Sequence, residues 1–159
     1  MIDVEIKTTE AVTVAYLPMR GAYAQMPEAM GRLYGWVAQH GMQPTGMPTA
    51  VYYTAPDEGP EAEALWELQA PIAGEVAEVQ PDEDGCGVRR LESQLVASTV
   101  YRGPYEGIAP TYEELGRWIV ANRYAPSGAP SESYLSDPQD TPPEEYLTEV
   151  RFPVAAVGS

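Results

Sequence analysis

The chain has 159 residues, with 24 acidic against 9 basic side chains and a formal net charge of −15. That length suits one domain, and 44% hydrophobic with 21% charged residues is a globular composition, not a disordered one. Such acidity lacks the basic footprint from which nucleic-acid binding starts and repels anionic membranes, so neither is expected as a partner. No apolar run approaches the roughly 18 residues of a membrane span, and the opening MIDVEIKTTE is no signal peptide. Cys86 is the single cysteine, which fits a reducing compartment. The expectation is a cytoplasmic monomer.

In chain order, Ala11–Leu17 is rich in Val, Thr and Tyr and reads as a strand that ends at the turn signal Arg20-Gly21. A helix follows, with Met26, Met30, Leu33 and Val37 on one stripe, Pro27 in its first turn and Gly41 as its stop. The loop MQPTGMP leads to a strand at Ala50–Thr54, and a Pro- and acid-rich connection to another at Ala64–Ile72. Residues Gln80–Gly87, QPDEDGCG, read as a linker. The pattern then recurs: strand Gln94–Tyr101, turn at Arg102-Gly103, helix stripe Ile108, Tyr112, Leu115 and Ile119 with Pro110 at its start, loop YAPSGAP, and strands Ser131–Ser136 and Tyr146–Val154.

The recurrence is a true repeat. At an offset of 82, Val14 to Ala73 matches the second half at 18 of 60 positions without a gap. Arg20-Gly21-x-Tyr23 falls on Arg102-Gly103-x-Tyr105, Leu33-x-x-Trp36 on Leu115-x-x-Trp118, Tyr52 on Tyr134, Pro56 on Pro138, and Leu65-x-Glu67 on Leu147-x-Glu149. The prediction is therefore a single domain over 1–159, with repeats at about 1–79 and 86–159. Its class is α+β: a duplicated strand–helix–strand–strand module, its antiparallel sheet carrying two helices on one face, with pseudo-twofold symmetry.

Strand alternation separates Val150, Phe152 and Val154 from Leu147, Glu149 and Arg151, and Trp66, Leu68, Ala70 and Ile72 from Leu65, Glu67 and Gln69. The more apolar faces should lie under the helices, leaving Glu67 and Glu149 on the other side. Tyr134 alternates between Glu132 and Ser136, so Tyr52 and Tyr134 are expected to share that polar face. A carboxylate walled by aromatic rings suits an organic cation. Solvated strand glutamates are the plainer alternative, and Arg151 offers Glu149 an ordinary ion pair.

Other groups point to structure. Trp36 and Trp118 follow core leucines and fit helix packing, and His40 ends a helix where its ring can meet a carbonyl. Cys86 sits beside Asp82, Glu83 and Asp84, which disfavour a thiolate. One Cys and one His make no zinc site, and DEDG lacks a glutamate at the twelfth position of a calcium loop, so no metal and no cofactor are expected.

The run VASTVYRGPYEGI…YEELGRWI…YAPSGAPSESYLSDPQDTPPEEYLTEVRFPV resembles the GyrI-like family, which includes effector-binding domains of AraC- and MerR-type multidrug-responsive regulators. The resemblance rests on Arg102-Gly103-Pro104-Tyr105, Arg117-Trp118, Tyr134-Leu135-x-Asp137-Pro138 and Leu147-Thr148-Glu149-Val150 through Phe152-Pro153-Val154, and extends to the first copy by the repeat. It implies a ligand cleft between the halves and contact between the acid at the Glu149 position and the charge of lipophilic drugs. Some stand-alone members hydrolyse strained cyclopropane-containing genotoxins. The first copy departs from the pattern, with Ala22 in place of Pro104 and Thr54-Ala55 in place of Ser136-Asp137. The chain begins directly with the first module, which argues against direct gene regulation.

The leading expectation is a stand-alone binder of lipophilic, often cationic small molecules, through Glu149, Glu67, Tyr52, Tyr134, Tyr105 and Tyr23. The alternative is a cyclopropanoid hydrolase in which Glu67 and Glu149 act as acid and base with Tyr134 steering the substrate oxygen. A third reading, prompted by the gyrase inhibitor that names the family, is an acidic inhibitor docking on a basic protein.

Overall fold

The computed structural model describes residues 2–54, 60–137 and 140–157, so Pro56 and Pro138 of the repeat lie outside the described residues. In chain order the elements are β1 (Glu5–Thr8), β2 (Val12–Arg20), α1 (Met26–Gln39), β3 (Thr49–Tyr52), β4 (Leu65–Pro71), β5 (Gly87–Leu91), β6 (Leu95–Arg102), α2 (Ala109–Ala121), β7 (Tyr124–Pro126), β8 (Ser131–Tyr134) and β9 (Leu147–Ala156). Short 3-10 turns at Tyr23–Gln25 and Tyr105–Gly107 lead into the two helices. The fold is α+β.

Two compact units divide the chain. The N-unit is Glu10–Glu92, and the C-unit is Ser93–Ser159 together with Met1–Thr9. Within the N-unit, β4 lies between β3 and β2, and β2 pairs with β5 on its other side. Within the C-unit, β9 lies between β8 and β6, β6 pairs with β1, and β7 adds to β9. Each of these pairings is antiparallel.

The unit boundaries therefore depart from the repeat boundaries. The first strand of each copy, β1 or β5, lies beside the second strand of the other copy. The sequence reading places no strand at β1 or at β5. Their sequences, EIKT and GVRRL, are too short and charged to announce strands. Residues Asp82–Gly85 form a tight turn before β5, with Gly85 at φ +85°.

The helices pack where the apolar stripes predict. Helix α1 covers β2 and β4 and buries Ala29, Leu33, Trp36 and Val37. Leu115 and Ile119 of α2 form one core with Ala97, Val150 and Val154. The Arg-Gly turns need the positive φ that glycine tolerates, +113° at Gly21 and +138° at Gly103. The two glycine amides donate to Ala64 and Tyr146 carbonyls, matched positions of the repeat.

Candidate functional site

In the C-unit, the helix-side face of β8 and β9 meets the turn that opens α2. Tyr134 lies opposite Thr148, and Glu132 opposite Val150, a residue of the helix-side core. Tyr112 of α2 and Tyr134 both donate hydroxyl hydrogen bonds to Glu132, the latter at 3.1 Å. Tyr105 meets the Tyr134 ring edge-on at 5.6 Å and stacks on Tyr146 at 4.8 Å. Burial raises the Tyr105 hydroxyl above its ordinary value, and the charges of Tyr146, Glu132 and Asp137 add to it. Glu132 is only 9% exposed. Beside this cluster the Thr148 hydroxyl is fully buried and has no hydrogen-bond partner among the described residues. An unmet buried hydroxyl costs roughly 1–3 kcal/mol.

The same place in the N-unit is filled differently. Tyr23 packs edge-on against Tyr52 at 5.2 Å and against Trp66 at 5.7 Å, and the Trp66 indole donates to the Gly21 carbonyl at 2.9 Å. At the 82-residue offset Trp66 stands where Thr148 does, and Ala50 where Glu132 does. Among the described residues the carboxylate-and-tyrosine arrangement thus belongs to the second copy.

Glu67 and Glu149 lie on the opposite face, as the alternation predicts. Tyr52 and Tyr134 do not join them there. The register sets Tyr52 opposite Trp66 and Tyr134 opposite Thr148, whereas Glu67 faces Val51 and Glu149 faces Ser133. Both faces of β8 are buried, so the polarity of neighbours is a poor guide to side. Tyr53, next in sequence, is the tyrosine that reaches the Glu67 cluster.

Each glutamate is already engaged. Glu149 accepts hydrogen bonds from Lys7 Nζ at 2.7 Å, Ser98 Oγ at 2.6 Å, and Arg151 at 3.0 and 3.1 Å. Burial alone would raise its carboxyl, but these donors and the Arg151 charge overcome it and hold the group at about 2. Glu67 is paired with Arg89 and accepts from Gln69 at 2.8 Å. Here burial prevails over those partners and pushes the carboxyl above its ordinary value. Sequence reading does not single out Lys7 and Arg89, although the offset of 82 superposes them. It finds Glu132 only as a neighbour of Tyr134, because an acid in a short strand gives no signal of burial.

The structural roles expected elsewhere hold. His40 Nδ1 lies 2.9 Å from the Trp36 carbonyl, and the Trp36 indole donates to Asp82 at 2.9 Å. Trp118 stacks with Tyr124. Burial raises the Cys86 thiol to about 11, Arg32 opposing and Asp82 and Asp84 adding. Among the described residues no helix is long and apolar enough to cross a membrane.

The GyrI-like small molecule binding domain model matches residues 2–155. No match is found among curated protein sequences. Among solved structures, the EcmrR C-terminal domain has a TM-score of 0.85 at 18% identity, over 99% of both chains. A structure described as a hydrolase from Listeria innocua has a TM-score of 0.72 at 16% identity, over 96% of this chain and 91% of that one. SAV2435 bound to tetraphenylphosphonium has a TM-score of 0.57 at 15% identity, over 97% and 94%. At these identities the likeness is one of fold.

Proposed function

The chain belongs to the GyrI-like small-molecule-binding family, and from that premise we propose that it binds lipophilic cations at the tyrosine-ringed Glu132 of the C-unit. The observation that carries this reading is the buried Glu132 carboxylate held by the hydroxyls of Tyr112 and Tyr134. Phenol hydroxyls orient the Glu132 carboxyl group by hydrogen bonding. Tyr105, Tyr134 and Tyr146 supply ring faces, each worth roughly 0.5–2 kcal/mol to a cation. SAV2435, of the same fold, is a protein seen with such a cation.

Sequence reading gives the anionic role to Glu149, with Glu67 as its counterpart and Tyr23 and Tyr52 as further walls. Glu149 sits with two cations and Glu67 with one, so a ligand cation at either would have to displace a protein cation. Glu132 is the acid bonded by the tyrosines of the cluster that opens α2. Titration with tetraphenylphosphonium tests the choice. Glu132→Gln should weaken binding by about tenfold or more, Tyr105→Ala by a similar factor, and Tyr105→Phe little. Binding lost in Glu149→Gln and kept in Glu132→Gln would return the role to Glu149.

A further inference from the structure

On the faces turned away from the helices, the two units differ most in size at the matched pair Tyr16 and Ser98. In the N-unit, Tyr16 of β2 lies between Gly87 of β5 and Gln69 of β4. Its ring is buried, with the Arg89 guanidinium carbon 4.8 Å from the centroid. Arg89 also pairs with Glu67. The offset of 82 puts Ser98 in the place of Tyr16, Lys7 in that of Arg89, Glu149 in that of Glu67 and Arg151 in that of Gln69. The polar frame is thus kept in the C-unit while the phenol ring is missing.

The space is not refilled. A cavity of about 660 Å³ opens on this face of the C-unit, lined by Ile2, Val4, Lys7, Ser98, Val100 and Glu149 among others. Glu5, which replaces Gly87 opposite Ser98, keeps a side chain 70% exposed, so it stands at the rim. The volume falls in the range of small-molecule sites.

We propose that this cavity is a second ligand site, separate from the Glu132 cluster on the helix side, and that it takes a planar, uncharged aromatic ring bearing a phenol-type hydroxyl. The chain carries its own template for that occupant, the Tyr16 phenol beneath Arg89. A ring entering at Ser98 lies within reach of the Lys7 ammonium for the same cation–π contact. Its hydroxyl can donate to the Glu149 carboxylate, which already accepts from Ser98 Oγ. The lining acids Asp3, Glu5 and Glu149 outnumber Lys7, so the cavity disfavours anions. Val100, on the same face of β6 as Ser98, supplies apolar contact.

The test uses the full chain and 2-naphthol in calorimetric titration, with three variants. Ser98→Tyr rebuilds the ring found in the other copy. Val100→Trp fills the cavity from a position already 54% exposed and therefore tolerant of substitution, so it serves if Ser98→Tyr does not fold. Glu132→Gln alters only the helix-side cluster. Saturable binding to the wild type, weakened by about tenfold or more in the folded filling variants and unchanged in Glu132→Gln, is expected. Three results would overturn the site: no saturable binding to the wild type, full affinity in the folded filling variants, or loss confined to Glu132→Gln.

Discussion

Lys7 and Glu149 lie 142 positions apart in sequence and 2.7 Å apart in space. Arg89 and Glu67 repeat the relationship in the N-unit. Both contacts come from the exchange of first strands, which lays β1 on β6 and β5 on β2. In each pair the cation comes from the copy that does not contain the glutamate. A face of buried carboxylates is thereby neutralised from the neighbouring strand, and the exchange gains a polar register as well as a ladder of backbone hydrogen bonds.

Removing that cation should loosen the C-unit. Lys7→Met leaves the Glu149 carboxylate to Arg151 and Ser98. Because the Lys7 side chain is one-third exposed, the loss is expected at about 1–2 kcal/mol, below that for a fully buried pair. Urea unfolding reads it as a lower midpoint at unchanged slope. In a Glu149→Gln background the same substitution should cost less, since the partner charge has gone. An unchanged midpoint in Lys7→Met would mean the contact contributes no net stability.

The two glutamates should give opposite pH signatures. Glu149 is held at about 2 against an ordinary 4.5, so its stabilising contribution is complete above its ordinary value and is lost as pH falls towards 2. The stability gap between wild type and Glu149→Gln should shrink on acidification by on the order of 2–3 kcal/mol. Glu67 is raised by burial, so folding favours its protonated form and its ionisation subtracts stability as pH rises through the folded value. The gap to Glu67→Gln should therefore move the other way. Denaturation curves across the acid range decide it: parallel slopes for the two variants would refute the assignment.

Much of this is legible in the sequence because it is local. Turn glycines, helix stripes and the 82-residue repeat depend on neighbours within a few residues, and Leu33, Val37, Leu115 and Ile119 lie where periodicity puts them. Strand exchange is not legible. The partner of β1 lies some ninety residues away, and nothing in EIKT distinguishes it from a solvated leader. The faces of Tyr52 and Tyr134 escape sequence reading for a related reason: alternation sorts residues into two sets but does not say which set is inside when both are buried. Extending the repeat to Lys7 and Arg89 is the signal that could have exposed the ion pairs.

Cys86 should behave as an inert core residue. It is 1% exposed, and burial raises its thiol to about 11, so almost no thiolate exists at neutral pH. A disulfide reagent such as dithionitrobenzoate should label the native chain only at the rate of transient opening and label it fully in denaturant. Prompt stoichiometric labelling of the folded protein would contradict this burial.

The helix ends offer a comparison the molecule makes with itself. After α1 the chain reverses at Gly41, with φ +70°, and after α2 at the matched position Arg123, with φ +65°. Glycine adopts this left-handed conformation without strain, whereas a residue with a Cβ atom pays roughly 1–2 kcal/mol. At Arg123 the backbone is nonetheless held in place, its amide donating to the Val120 carbonyl and its carbonyl accepting from Val157. Substituting Arg123→Gly keeps those hydrogen bonds and removes the strain. Against this stands the greater freedom of glycine in the unfolded chain, about 0.4–1 kcal/mol. The net expectation is a gain of about 0.5–1 kcal/mol, read as a higher melting temperature, and Gly41→Ala should lose a comparable amount. A melting temperature that falls in Arg123→Gly would show that the arginine side chain stabilises the turn by more than its backbone strain costs.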